Sequence, residues 1–284
     1  MRGRPSWTAE IVCLMRASDQ WRDKADRILD DPYAPLFLSP ALRAIFSAWP
    51  RIGALLPSVA HGMTNFVLMR HRFIDDALAA ALGDDFEQVV LLGAGYDTRA
   101  YRFAETLNGR PIFEVDFPTT GERKARLVQK NADVLPVAAP CQVSIDFQSQ
   151  RLDDRLHAAG FAAGAKTFFV WEGVSMYLTR QAVKATLSTV SQIAATGSQI
   201  ALDFWSLPDA PDLRSTTHRL GASLMTIFGE PVTFSMHPED IETFVNQLGF
   251  AVSDIAQSDT LQARYADAST PVMEANFVAL LGVN

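Results

Sequence analysis

The segment Gln88-Val-Val-Leu-Leu-Gly-Ala-Gly-Tyr-Asp-Thr-Arg99 limits what this chain can fold into more than any other stretch. The branched apolar run Val89–Leu92 predicts a strand buried on both faces, and Gly93-Ala94-Gly95 predicts a tight turn at its end. A second apolar run, Ile112-Phe-Glu-Val-Asp116, ends in an acid 23 residues beyond Gly93. A strand, a Gly-x-Gly turn and an acid closing the next strand are the parts of a nucleoside-binding βαβ unit. Glycine lets the backbone approach a ligand, and a carboxylate can accept hydrogen bonds from both ribose hydroxyls.

The missing part of the pattern narrows the ligand. A dinucleotide fingerprint carries a third glycine where Thr98 stands, because the pyrophosphate packs against the helix N-terminus there. Thr98 therefore favours a smaller adenosyl ligand without phosphates, such as S-adenosylmethionine. The plain alternatives are a βα turn that binds nothing, and Asp116 as the N-cap of a helix opening at Pro118.

Strands and helices alternate beyond this point. Strands are predicted at Ile112–Val115, Gln142–Ile145, Thr167–Trp171 and Gln199–Phe204. Helices are predicted at 99–106, 119–129, 152–159 and 179–194, the last capped by Thr179. That rhythm implies a mostly parallel sheet with helices on both faces and its site-bearing loops on one rim. Further strands are expected at Phe250–Ile255 and Phe277–Leu281, with a helix from His237 to Leu248. Residues 1–65 read as a helical extension, with helices at 9–17 (capped by Thr8) and 36–49 (ended by Pro50). Apolar residues from Phe66 to Leu82 recur at helical spacing on a long helix over 64–82. The core is thus expected over 66–284 of a single domain. Residues 206–236, punctuated by prolines and glycines, break the rhythm and read as a lid insertion with a helix over 218–228.

Composition removes several classes of function. A net charge of −7 without a Lys/Arg cluster argues against a nucleic-acid partner. Cys13 and Cys141 stand far apart, which fits a reducing cytoplasm and no disulfide framework. No apolar run is long enough for a membrane span, and no apolar core follows the basic residues of the start. The histidines His61, His71, His157, His218 and His237 show no metal-binding spacing, so no metal is expected. There is no Gly-x-Ser-x-Gly elbow and no Gly-x-x-x-x-Gly-Lys loop.

Other residues fit the same rim. Asp146, just past the third strand, can accept from an adenine amine while Phe147 flanks the ring; an Asx turn is the alternative. Glu172 directly follows the apolar Phe168-Phe-Val-Trp171, where an acid is costly unless partnered or facing a site. Arg70 on the long helix could clamp a ligand carboxylate, although a solvated face is the favoured account of its position from the helix alone.

Three motifs taken together carry a resemblance: Gly93-Ala-Gly-Tyr-Asp-Thr-Arg99, Glu114-Val-Asp-Phe-Pro118 and Glu172-Gly-Val-Ser-Met-Tyr-Leu178. With Arg16-Ala17, Asp31-Pro-Tyr-Ala34, Arg70 and Lys124, they make the chain resemble the leucine carboxyl methyltransferase-like family of S-adenosylmethionine-dependent methyltransferases. The similar branch is that of bacterial O-methyltransferases of secondary metabolism. The resemblance implies a Rossmann-like class I methyltransferase fold with a seven-stranded, mostly parallel sheet, S-adenosyl-L-methionine as donor and a small-molecule methyl acceptor. It implies that Arg70 binds the methionyl carboxylate and Glu172 approaches the amino group. Gly93 and Gly95 would line the turn, Asp116 would hold the ribose, and Asp146 with Phe147 would hold the adenine. Phe147-Gln148 replaces the Leu-Arg typical of the carboxyl methyltransferases proper, which argues against their protein-phosphatase substrate. Methyl transfer to a carboxylate needs no base; a hydroxyl acceptor wants one, with Tyr177, His61 or His71 as candidates. The competing readings are an NAD-type oxidoreductase, a carboxyl methyltransferase acting on a protein C-terminus, and a non-catalytic binding relative.

Overall fold

The computed structural model describes residues 6–137, 140–147, 149–206, 232–274 and 276–284. Its strands are β1 (Gln88–Leu92), β2 (Ile112–Asp116), β3 (Cys141–Ser144), β4 (Thr167–Trp171), β5 (Gln199–Trp205), β6 (Phe250–Gln257) and β7 (Asn276–Val283). They form one sheet in the order β3-β2-β1-β4-β5-β7-β6. Strands β1 to β5 are parallel, and β7 runs antiparallel between β5 and β6. The expected strands are all present. The chain winds outward from β1 to β3, then restarts on the other side of β1 with β4. That reversal opens a crevice at the carboxyl ends of β1 and β4, where open α/β sheets take ligands.

The double-sided burial of the strands sorts the core into two layers. Val89 and Leu91 join Phe168 and Val170 on one face, packed by helix α1 (Trp7–Ser18) and helix α3 (Ser58–Gly83). Val90 and Leu92 join Phe169 and Trp171 on the other, packed by the helices Leu152–Ala158 and Arg180–Ile193. The period of two along each strand decides which layer a residue enters. Phe66, Met69, Phe73, Ile74 and Leu78 bring the apolar stripe of α3 to the first layer.

Several expectations need correction. Ser6, not Thr8, caps α1, accepting from the Ala9 amide at 3.1 Å; the helix begins early enough to put Thr8 inside its first turn. Pro50 does not end α2, which runs Pro40–Ile52. The carbonyl that Pro50 leaves without an intrahelical donor, that of Phe46, accepts from Trp21 Nε1 at 3.0 Å, so the helix keeps its geometry there. The helix expected over 99–106 breaks at Phe103 into α4 (Arg99–Arg102) and α5 (Ala104–Leu107). The helix expected from His237 starts with a 3₁₀ turn, Pro238–Asp240, and continues only over Ile241–Asn246. A helix at Ser258–Tyr265 was not foreseen, since it buries little beyond Ser258 and Leu261 and lacks a periodic signal. The helix expected over 218–228, and nearly all of the 206–236 segment, lie outside the described residues. Among the described residues no helix is long and apolar enough to cross a membrane.

Candidate active site

The glycine turn is built by hydrogen bonds to the neighbouring strand. The amides of Gly93 and Ala94 both donate to the Val115 carbonyl, at 2.8 and 3.1 Å. Gly93 has φ +71° and Gly95 φ +48°, the left-handed region that glycine enters without a Cβ penalty. A Cβ on Gly93 would overlap Cγ2 of Val174, and one on Gly95 would press on Ala9 Cβ at 3.3 Å. The loop after β4 and helix α1 therefore close directly onto the turn. Asp116 completes it: Oδ2 accepts from the Gly95 amide and Oδ1 from the Phe117 amide at 2.6 Å. Burial pushes the Asp116 carboxyl up to about 6, against the pull of those two amides.

A cavity of about 270 Å³ opens over this turn. Its wall includes Arg70 from α3, Gly93 and Gly95, Asp116, Asp146 with Phe147 past β3, Glu172 past β4, and Tyr177 from the following 3₁₀ turn. All eight residues picked out in the sequence converge on this one cavity. His61 is not among its lining residues. Helix α1 contributes Thr8, Val12 and Arg16, which share a face at a spacing of four residues.

Arg70 is not on a solvated face. Its Nε donates to Glu172 Oε1 at 2.9 Å and its Nη1 to Asp203 Oδ2 at 2.6 Å. Glu172 also receives His71 Nδ1 at 2.9 Å and Arg99 Nη1 at 2.9 Å. Burial alone would raise the Glu172 carboxyl, but His71, Arg70 and Arg99 outweigh it and hold it well below the ordinary range. Behind Glu172, Arg99 is fully buried and also binds Asp75 at 2.7 Å and Asp97 at 2.5 Å. Arg102 binds Asp75 at 2.5 Å, and Arg16 binds Asp31 at 3.2 Å. Four guanidiniums thus face five carboxylates, counting Asp203.

His71 settles the remaining charge. Its Nε2 lies 2.9 Å from Arg102 Nη2, which can only donate, so Nε2 accepts and Nδ1 carries the proton given to Glu172. Burial and the Arg99 charge lower its pKa, leaving the ring neutral near pH 7. With both nitrogens engaged, His71 has no lone pair to offer an acceptor, which removes it as a candidate base. The network then carries one net negative charge beside the cavity, and Asp116 adds a second when ionised. Ligand-type atoms of His71, Asp97 and Glu172 lie within 4.8 Å of one another. Both carboxylates already take a hydrogen bond from Arg99 Nη1.

Arg16, Arg99, Arg102, Asp75 and Asp203 have no role legible in the sequence, although Arg16 and Arg99 stand in motifs of the family resemblance. Each lies on an ordinary helix or strand, and only the packing of α1, α3 and the β4 and β5 ends makes them neighbours. Thr98 holds a position in the same frame: its hydroxyl donates to Asp31 at 2.8 Å and accepts from Arg102 Nε at 3.0 Å. A glycine there would lose the tie to the N-terminal helices.

The fold is Rossmann-like, and the sheet with its antiparallel β7 is that of class I S-adenosylmethionine-dependent methyltransferases. Residues 9–191 match the sequence profile of the leucine carboxyl methyltransferase family, and the chain belongs to that family. A protein of Saccharopolyspora erythraea provisionally named an S-adenosyl-L-methionine-dependent methyltransferase is 33% identical over 230 residues, spanning 78% of this chain and 76% of the relative. A Streptomyces coelicolor protein with the same provisional name is 32% identical over 222 residues, spanning 72% and 74%. A crystal structure of a DUF574 family protein from Streptomyces avermitilis shares the fold at TM-score 0.62 and 14% identity, over 99% of this chain and 98% of that one. The donor of the reaction is S-adenosyl-L-methionine, and the chain is a methyltransferase.

Proposed function

We propose that the cavity over the glycine turn holds S-adenosylmethionine and that the methyl group goes to an oxygen of a small metabolite. The observation that carries this is the convergence of Arg70, Gly93, Asp116, Asp146, Phe147 and Glu172 on one cavity. The charge balance fits the donor. S-adenosylmethionine carries one net positive charge at neutral pH, and the surrounding network is net negative. Bound, it supplies a methyl group on a sulfonium, which leaves as a neutral thioether. The chain's own work is alignment and exclusion of water.

In this reading Arg70 holds the methionyl carboxylate through Nη2, the one nitrogen not used by Glu172 or Asp203. Glu172 receives the amino group, Asp116 the ribose hydroxyls, and Asp146 with Phe147 the adenine. Tyr177, on the same wall, acts on the acceptor. We take the chain as one methyltransferase domain whose first 65 residues form part of the site wall through α1. The reading includes a cytoplasmic enzyme of secondary metabolism.

The test is calorimetric titration of the purified protein with S-adenosylhomocysteine, followed by mass spectrometry of a bacterial extract incubated with methyl-labelled donor. Saturable binding and a labelled oxygen methyl ether or ester are expected. Absence of binding at millimolar ligand would refute the donor site; label on nitrogen or carbon would refute the acceptor class.

A further inference from the structure

Asp203 lies within β5, one residue past Leu202, and stands beside Glu172 because β4 and β5 are parallel with Trp171 opposite Leu202. The side chain is fully buried, is not itself among the residues lining the cavity, and belongs to none of the sequence motifs. Burying a carboxylate there costs free energy unless it is matched by hydrogen bonds that the fold needs.

Both partners of its carboxylate line the cavity. Oδ2 accepts from Arg70 Nη1 at 2.6 Å, and Oδ1 accepts from the Gly173 amide at 2.6 Å. The Asp203 carbonyl accepts from Ser175 Oγ at 2.6 Å. One residue therefore anchors the Arg70 head and two points of the loop that carries Glu172, Val174 and Tyr177. Gly173 has φ +70°, and a Cβ there would stand 3.6 Å from Arg70 Nη2, so the loop backbone runs alongside that nitrogen.

The guanidinium is planar, and its five N–H bonds point in fixed directions. Holding Nε with Glu172 and Nη1 with Asp203 removes the rotations about the side chain and leaves Nη2 as the free end. Among the described residues no group takes a hydrogen bond from Nη2. Without Asp203, Nη1 would be free to turn and the amide of Gly173 would lose its acceptor.

Resting on the donor-site reading above, we propose that Asp203 is a positioning residue: it fixes Arg70 so that Nη2 faces the amino-acid end of the donor, and it ties the Glu172 loop to the same point. It acts on recognition of the methionyl carboxylate and not on the adenosine end, where Asp116, Asp146 and Phe147 work.

Two ligands separate these ends. S-adenosylhomocysteine carries the amino-acid part; 5′-methylthioadenosine keeps the adenosine and thioether and lacks it. In Asp203→Asn the amide oxygen can still accept from Gly173 while the NH₂ faces Arg70 without attraction. Calorimetry is expected to show S-adenosylhomocysteine weakened about 10- to 100-fold, the scale of one charge-assisted hydrogen bond, with methylthioadenosine unchanged. Arg70→Ala should give the same selective loss, and the double variant should add nothing to it. If Asp203→Asn does not fold, Asp203→Glu is read the same way, because one added methylene keeps the charge and displaces it. Loss of both ligands in step, loss of neither, or failure of both variants to fold overturns the inference. A wild-type protein that binds neither ligand overturns the donor-site reading instead.

Discussion

Gly93→Ala is expected to damage this protein through its own loop before any ligand is considered. The residue sits at φ +71°, and an added Cβ overlaps Val174 Cγ2. Leaving glycine in the left-handed region costs about 1–2 kcal/mol for an L-residue. Forcing one methyl into a packed contact costs about 1–3 kcal/mol more. The sum, about 2–5 kcal/mol, is a large share of a typical domain's stability. Urea denaturation followed by circular dichroism measures it. Val174→Ala removes the clashing methyl, so in that background Gly93→Ala should cost only the backbone part, about 1–2 kcal/mol. The two substitutions should therefore couple favourably by about 1–3 kcal/mol. If Gly93→Ala costs the same with and without Val174, the contact is not what demands glycine, and the reasoning fails.

Asp116 makes donor affinity depend on pH. Its pKa lies raised at about 6 in the protein, and ribose hydroxyls need the ionised carboxylate as acceptor. The protonated form should not compete for them, so affinity is full above about pH 7 and falls as pH drops through 6. Calorimetry at pH 5 should return a Kd for S-adenosylhomocysteine about tenfold above that at pH 7; Asp116→Asn should be weak and flat across the range. Tyr177→Phe, assayed on whatever acceptor the labelling identifies, should lower kcat about 100-fold if the hydroxyl moves or holds a proton. Donor KM should stay unchanged; a raised donor KM would make Tyr177 a donor contact instead. Trp21→Phe should cost about 1 kcal/mol by leaving the Phe46 carbonyl without its donor. In a Pro50→Ala background, where the helix can supply that donor, the cost should shrink; an equal cost in thermal denaturation would disprove the compensation.

The pattern of residues was sufficient for the sheet. Val89–Leu92 and Phe168–Trp171 are apolar on every position, and only a doubly covered parallel strand buries both sides of such a run. The glycines, Asp116, Asp146 and Glu172 were legible because each lies at or just past a strand end, and the parallel topology puts those ends on one rim. Arg70 was not legible as more than a helix arginine from its own neighbours. Its partners Glu172 and Asp203 lie 102 and 133 residues away in the chain.

What the sequence by itself determined is therefore the part written in local periodicity: the strands, their turns and the acids that follow them. What only the tertiary structure decided is the charge network behind the cavity. Arg16, Arg70, Arg99 and Arg102 alternate with Asp31, Asp75, Asp97, Glu172 and Asp203, brought together from α1, α3, α4, β5 and the loops around them. A buried charge is stable only beside its opposite, and that requirement acts through space, mostly between residues far apart in the chain. The same holds for Thr98, which reads in the sequence as an absent glycine and in the fold as the hydroxyl joining Asp31 to Arg102.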